Sequence, residues 1–243
     1  MTSELFGGRF APITSEIGFI EADHRLVADT FQAWAQEIQA KRGVELTRVI
    51  IDGDFQSAIE QLLPLTSVER RRFLFGPTNS RWSYFLDNGW RGTDAASAVS
   101  TLCVKLKCRG VRSVFVPNTI RKSPVGELGR YGANILEVYA ADSGQCHFLN
   151  TLRSISVAND GGRWRFDSGG APLDFERVES YESKNIKDRF TFEMHKQYLT
   201  ALAIDGFDPA YFRANDSSIL IAKHGPAAAA LKEYTLEEIQ STF

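Results

Sequence analysis

Apolar residues recur along the chain with two different periods, and the switches between them divide it into elements. Residues 11–22 read as extended, with Ile13, Ile17, Phe19 and Ile20 supplying the apolar contacts of a strand. Asp23 then stands at an N-cap position, and Val27, Phe31, Trp34 and Ile38 follow at i, i+4, i+7 and i+11, the stripe of an amphipathic helix. Lys41 and Arg42 suit the negative end of that helix, and Gly43 suits its termination.

The next segments shorten. Thr47–Ile51 predicts a strand that leads through Asp52-Gly53-Asp54 into a short helix ending near Pro64. Residues 70–75 and 82–86 are rich in aromatic and β-favouring side chains, and Gly76-Pro77-Thr78-Asn79 between them reads as a turn joining two paired strands. Thr93 or Asp94 can cap a helix whose Val99, Leu102, Cys103 and Leu106 share one face, with Gly110 closing it. Residues 111–116 form a strand stopped by Pro117, and residues 123–132 a loop rich in glycine and proline. Three strands follow at 134–141, 146–157 and 163–167, separated by Asp142-Ser143-Gly144 and by the hairpin signal Asn159-Asp160-Gly161-Gly162. Beyond a polar stretch at 172–187 come a helix near 188–204, a turn at Asp208-Pro209, a strand at 218–222 and a helix-prone tail at 227–243. These elements predict a single α+β domain over residues 1–243, with a largely antiparallel sheet and helices packed on one face. A C-terminal subdomain from about residue 172 is the alternative division.

Composition narrows the class. With 243 residues, 43% hydrophobic and 24% charged, the chain is neither a disordered tail nor a disulfide miniprotein, and it can bury roughly 70–75% of its unfolded surface. No signal-like or membrane-length apolar run is present, and Cys103, Cys108 and Cys146 are an odd set without a disulfide pattern, so the expectation is a cytoplasmic protein with free thiols. Asn215-Asp216-Ser217 then matches a glycosylation acceptor by accident.

The net charge of −2 conceals a segregation of charge. Residues 1–60 hold 5 basic and 10 acidic side chains, residues 61–130 hold 12 and 4, and residues 131–243 hold 11 and 16. The middle segment includes Arg70, Arg71, Arg72, Lys105, Lys107, Arg109, Arg112, Arg121 and Lys122. Such a patch can attract an anionic partner or be neutralised by the acidic segments of the same chain. Nucleic acid is the least favoured partner because the flanking segments are acidic.

Motifs that announce catalysis are missing: there is no phosphate loop, dinucleotide fingerprint, zinc-protease helix or nucleophile elbow. Cys103 and Cys108 with Cys146-His147 have metal-binding atoms, yet Cys103 falls on an apolar helix face, and adjacent residues of a strand point to opposite sides. No metal or cofactor is expected. Asp23-His24 and Asp52-Gly53-Asp54 could serve acid–base chemistry, but the favoured reading is that Asp23 and either Asp52 or Asp54 cap the helices that begin there, with His24 a first-turn surface residue. His195 and His224 have no recognisable partners in the sequence.

The richest segment is Arg81–Asp94, where an aromatic strand runs into a polar loop. Tryptophan, tyrosine and arginine in such a setting are the side chains that anchor interfaces. Trp82, Tyr84, Asp87, Asn88, Trp90, Arg91 and Asp94, with Arg109 and Arg112 nearby, are the predicted partner-binding residues. Core packing for Trp82 and Phe85 and a turn at Asn88-Gly89 are the competing account.

The segments Trp82-Ser83-Tyr84-Phe85-Leu86-Asp87-Asn88-Gly89, Arg91-Gly92-Thr93-Asp94, Arg163-Trp164-Arg165-Phe166, Asp188-Arg189-Phe190-Thr191 and Tyr198-Leu199 give the chain a texture similar to bacterial cytoplasmic immunity proteins of polymorphic toxin systems. The resemblance implies a compact α+β protein that acts without catalysis, by binding a toxin domain. The alternative expectation is an enzyme or binding protein for an anionic small molecule, phosphorylated or a nucleotide, using Arg91, Arg109 or Arg112 for the phosphate and an aspartate as base.

Overall fold

The structure is a computed structural model that describes residues 4–67, 71–124, 126–141, 150–212, 217–225 and 232–243. Arg70, Cys146, His147, most of the glycosylation match and the alanine run at 227–230 lie outside these residues.

Nine strands form one antiparallel sheet. In chain order they are β1 (Glu16–Ile20), β2 (Glu45–Ile51), β4 (Arg72–Pro77), β5 (Ser83–Asp87), β6 (Arg109–Val116), β9 (Ala133–Ala140), β10 (Thr151–Asp160), β11 (Arg163–Gly169) and β12 (Ser218–His224). Two small antiparallel pairs complete the strands of the described residues: β3 (Leu65–Thr66) with β13 (Glu233–Tyr234), and β7 (Arg121–Ser123) with β8 (Gly126–Leu128). The helices are α1 (His24–Gln39), α2 (Phe55–Glu60), α3 (Ala96–Leu106), α4 (Phe192–Ala201) and α5 (Leu236–Gln240).

The large sheet runs in the order β11-β10-β9-β6-β1-β5-β4-β12-β2. The expected hairpins are present: β4 pairs with β5 (Phe75 opposite Phe85), and β10 with β11 across the Gly161-Gly162 turn, where φ is +58° and +91°. β12 has no local partner; it enters between β4 and β2, with Leu220 opposite Leu74 on one side and Val49 on the other.

Strand alternation sorts apolar side chains onto two faces. On one face, Ile20, Phe75, Phe85, Tyr139, Ile219 and Ile221 pack with Val27 and Phe31 of α1 and Val99, Leu102 and Cys103 of α3. The two longest of the α-helices to have apolar stripes in the sequence thus lie together on that face. The other face carries Phe19, Leu74, Tyr84, Val111, Leu136, Ile155 and Leu220, covered by α2, α4, α5 and irregular segments through Phe55, Tyr198, Leu199, Phe212 and Ile239. Each fully buried Phe or Leu contributes roughly 1.5–3 kcal/mol.

Local chemistry explains the boundaries. Asp23 Oδ1 accepts from the Arg25 and Leu26 backbone amides at 2.9 and 3.3 Å, and Asp54 Oδ1 from Ser57 N at 2.8 Å, so both aspartates are N-caps. α1 ends at Gln39, and a short 3₁₀ turn then reaches Gly43 at φ +65°. Ile38 is 44% exposed, so Ala35 rather than the last predicted position is the final buried apolar residue of the stripe. Neither Thr93 nor Asp94 caps α3. Ala95 stands there without a side-chain cap, and its amide donates to Glu16 Oε1 of β1 at 2.6 Å. The predicted helix at 188–204 is a 3₁₀ turn followed by α4, because Thr191 Oγ1 caps the start by accepting from Met194 N at 3.3 Å. Part of the predicted C-terminal helix lies outside the described residues, and the remainder is β13 followed by α5, which opens on a Thr235–Glu238 capping box.

Candidate functional site

Of the nine predicted contact residues, the structure withdraws four from the surface. Trp82 and Tyr84 are 1% exposed and Asp87 and Asn88 are wholly buried. Trp82 Nε1 donates to the Leu202 carbonyl at 2.8 Å. Tyr84 lies across Gly76 and shares a 2.7 Å hydrogen bond with Ser218 Oγ. Asn88 Nδ2 donates to the Pro64 carbonyl at 2.8 Å while its Oδ1 accepts from Arg72 N at 2.7 Å. These groups hold the sheet and its loops together. Their aromatic and amide character, which suits an interface, here serves the core.

Two of the arginines are neutralised internally. Arg109 reaches Glu21 through Nε at 2.7 Å and Nη2 at 3.3 Å. Arg112 donates from Nε and Nη2 to the two oxygens of Glu16, both at 2.8 Å, and from Nη1 to Glu137 at 3.0 Å. Burial pushes Glu16 above its ordinary value against the pull of Arg112. Arg109 and Arg112 are three residues apart on β6 and point to opposite faces, so they do not build one anion site. Arg81 joins Glu21 at 2.7 Å, Arg71 joins Asp87 at 2.8 Å and Arg130 joins Glu4 at 2.6 Å. Three of these acidic partners, Glu4, Glu16 and Glu21, come from the N-terminal segment, so part of the cation excess of 61–130 is met by the acid excess of 1–60. Lys105, Lys107, Arg121 and Lys122 are exposed.

Trp90 and Arg91 are placed differently. Trp90 N donates to the Thr66 carbonyl at 3.0 Å, which fixes the loop beside β3, and its half-buried indole lies 5.6 Å from the Tyr234 ring of β13. The Arg91 guanidinium stacks over that indole at 4.7 Å, is exposed, and makes no ion pair with any described residue. Both residues border a cleft of about 510 Å³, whose other walls include Pro12, Arg130, Tyr234 and Phe243. Arg130 stacks over Phe243 at 4.4 Å, donates to Ser15 Oγ at 2.8 Å, and has a buried Nε without a hydrogen-bond partner among the described residues. The cleft is therefore walled by aromatic rings and rimmed by arginine, the combination that anchors interfaces. Asp94 is exposed on the same loop. Tyr234, Phe243 and Arg130 were missed by sequence reasoning, since β13 and the C-terminal residues reach the loop through tertiary pairing alone.

A second arrangement unseen in the sequence is a chain of hydrogen bonds from Ser113 to His195 to Asn134. Asn134 Nδ2 donates to the Phe190 carbonyl at 2.9 Å, which turns its Oδ1 toward His195 Nδ1 at 2.5 Å. Nδ1 therefore carries the proton, and Nε2 accepts from Ser113 Oγ at 3.0 Å. Burial holds the imidazole down to about 3, so it is neutral. The order of groups is that of nucleophile, base and orienting amide. Ser113 is 6% exposed and His195 is wholly buried, so the chain of bonds satisfies polar groups inside the core.

Cys103 is buried and its thiol is pushed up by the neighbouring Cys108 thiol and by burial, while Cys108 is shifted down. Among the described residues no cluster of three metal-ligating side chains occurs, and no helix is long and apolar enough to cross a membrane. In comparisons with known proteins, no family model matches the chain, and neither a curated protein nor a solved structure matches it.

Proposed function

We propose that the protein is a non-enzymatic binding module that recognises a protein partner through the Trp90–Arg91 loop and the cleft beside it. The observation that carries this reading is the exposed Arg91 guanidinium, free of any ion pair with the described residues and stacked on the half-buried Trp90. Its charge is available to a carboxylate of the partner, and the rings of Trp90, Tyr234 and Phe243 offer an apolar seat for a side chain beside it. A toxin domain neutralised by direct binding is the partner suggested by the texture of the sequence. The competing reading, an anionic small-molecule site using Arg91, Arg109 or Arg112 for the phosphate, loses support because the latter two are consumed by Glu21, Glu16 and Glu137.

The test is affinity capture from the native host with mass-spectrometric identification, run in parallel on the wild type and on a Trp90→Ala/Arg91→Ala double variant. The expected result is a partner retained by the wild type and lost by a variant with an intact circular-dichroism melt. A stable double variant that retains the same partner refutes the proposal.

A further inference from the structure

Two of the three cysteines stand at the end of α3, in a turn that sets them face to face. The helix stops at Leu106, and Lys107 follows in the left-handed region at φ +53°, a conformation uncommon outside glycine. That residue turns the chain back toward the helix. The amides of Lys107 and Cys108 both donate to the Cys103 carbonyl, the second at 3.1 Å, and a closure of this kind brings the side chains at its two ends into contact. With Cys108 N held 3.1 Å from Cys103 O, standard bond lengths leave the two Cα atoms no more than about 7 Å apart, against the roughly 4.4–6.8 Å that a disulfide spans. Cys103 is wholly buried in the core shared by α1 and α3, and Cys108 packs half-buried against the same core. Gly110 makes room for the sulfur: a Cβ there would stand 2.4 Å from Cys103 Sγ. The Cys103 thiol donates a hydrogen bond to the Cys108 sulfur, which favours the thiolate on Cys108 against the opposing effects of burial and of the Glu21 carboxylate.

We propose that Cys103 and Cys108 form a redox modification site, a dithiol that a hydroperoxide converts into an intramolecular disulfide across the end of α3. The two cysteines take different parts because they differ in exposure. Cys108, the accessible one, reacts first: its thiolate attacks one peroxide oxygen, the O–O bond breaks, hydroxide leaves, and the sulfur becomes a sulfenic acid. Cys103 is shielded from the oxidant but lies beside the new sulfenic acid. Its sulfur then attacks Cys108 Sγ, the S–S bond forms, the S–O bond breaks, and the departing hydroxide takes the Cys103 proton and leaves as water. In sum, two thiols and hydrogen peroxide give one disulfide and two waters, with two electrons passing from the sulfurs to the peroxide. An added small thiol reverses the change by exchange, so the site records exposure to peroxide without permanent damage. The disulfide fastens the end of α3 to the start of β6. This proposal does not rest on the binding reading above.

The experiment treats the reduced full chain with an equimolar amount of hydrogen peroxide, blocks the remaining thiols with N-ethylmaleimide after denaturation, and maps the digested protein by mass spectrometry. The expected product is a peptide pair linked through Cys103 and Cys108, with the thiol titre falling from three to one and dithiothreitol restoring all three. The linkage is expected to form faster in the native chain than in the same chain unfolded in urea, because the turn holds the two sulfurs together. In Cys103→Ala the reaction is expected to stop at a Cys108 sulfenic acid that dimedone traps, and in Cys108→Ser the Cys103 thiol is expected to survive. The proposal is overturned if native Cys103 and Cys108 stay reduced, if Cys108 is oxidised to a sulfenic or sulfinic acid without linking to Cys103, if the links run to Cys146 or to a second chain instead, or if the unfolded chain links as fast as the native one. The wild-type linkage decides by itself should either variant fail to fold.

Discussion

Arg153 and Glu176 meet inside the protein as a two-pronged ion pair, Nε to Oε1 at 2.8 Å and Nη2 to Oε2 at 2.7 Å, with side chains 2% and 0% exposed. The remaining valences are filled: Arg153 Nη1 donates to Ser168 Oγ and to the Gly169 and Gly170 carbonyls, while Glu176 accepts from Leu173 N and the Tyr181 hydroxyl. The pair fastens the segment around 173–181 to the ends of β10 and β11. Removing one partner strands the other charge, so Arg153→Ala or Glu176→Gln is expected to cost about 3–5 kcal/mol. Replacing both, as Arg153→Met with Glu176→Leu, is expected to cost less than the two single changes added. Urea denaturation of the four proteins measures this, and single variants within about 1 kcal/mol of wild type contradict it.

His195 makes the fold sensitive to acid. Its folded value, lowered to about 3 by burial, lies below the ordinary imidazole value, so its contribution is fully present above about pH 6.5 and is lost as the pH falls toward 3. The full range corresponds to about 4–5 kcal/mol. His195→Gln is expected to be less stable than wild type at pH 7, with the gap closing on acidification, as read by unfolding curves at several pH values. A gap independent of pH contradicts the assignment.

Asp87 acts on global stability with the opposite sign. Its folded value is raised to about 6 by burial, so its contribution is full below about pH 4 and declines as the pH rises through 6. Relative to wild type, Asp87→Asn is expected to gain up to about 3 kcal/mol between pH 4 and pH 7. The same unfolding series decides the matter, and a difference that moves the other way refutes it.

Gly76 and Gly43 are glycines for different reasons, and one substitution separates them. An added Cβ on Gly76 would stand 2.3 Å from the Tyr84 ring, whereas at Gly43, with φ +65°, nothing lies within 4 Å. Gly43→Ala is expected to cost about 1 kcal/mol through backbone strain. Gly76→Ala must push Tyr84 off Ser218 and is expected to cost about 1–3 kcal/mol, with a change in the near-ultraviolet circular dichroism that Gly43→Ala does not produce.

Elements defined by local pattern were legible. The cap at Asp23, a cap at Asp52 or Asp54, the β4–β5 and β10–β11 pairs and the antiparallel character of the sheet follow from residues close together in the chain. What was not legible depends on distant partners. Glu16 serves the start of α3 from another strand, His195 finds Ser113 and Asn134 on β6 and β9, and Arg153 finds Glu176 beyond the end of β11. The Arg81–Asp94 segment stands out in the sequence, but composition cannot tell a tryptophan that packs from one that projects. Strand register decided it: Trp82, Tyr84 and Asp87 fall within the layers, and only the turn beyond β5 carries Trp90 and Arg91 outward.

The insertion of β12 between β4 and β2 bears on the order of assembly. Ile51 pairs with Ser218 and Glu45 with His224, so β2, made early, waits for a strand made late. Until then β2 has no strand partner in the sheet and one edge of β4 stays open. Translation therefore sets how long that seam stays open. A seam of this kind invites chaperone capture or intermolecular pairing during synthesis, and the arrival of β12 closes it like a keystone.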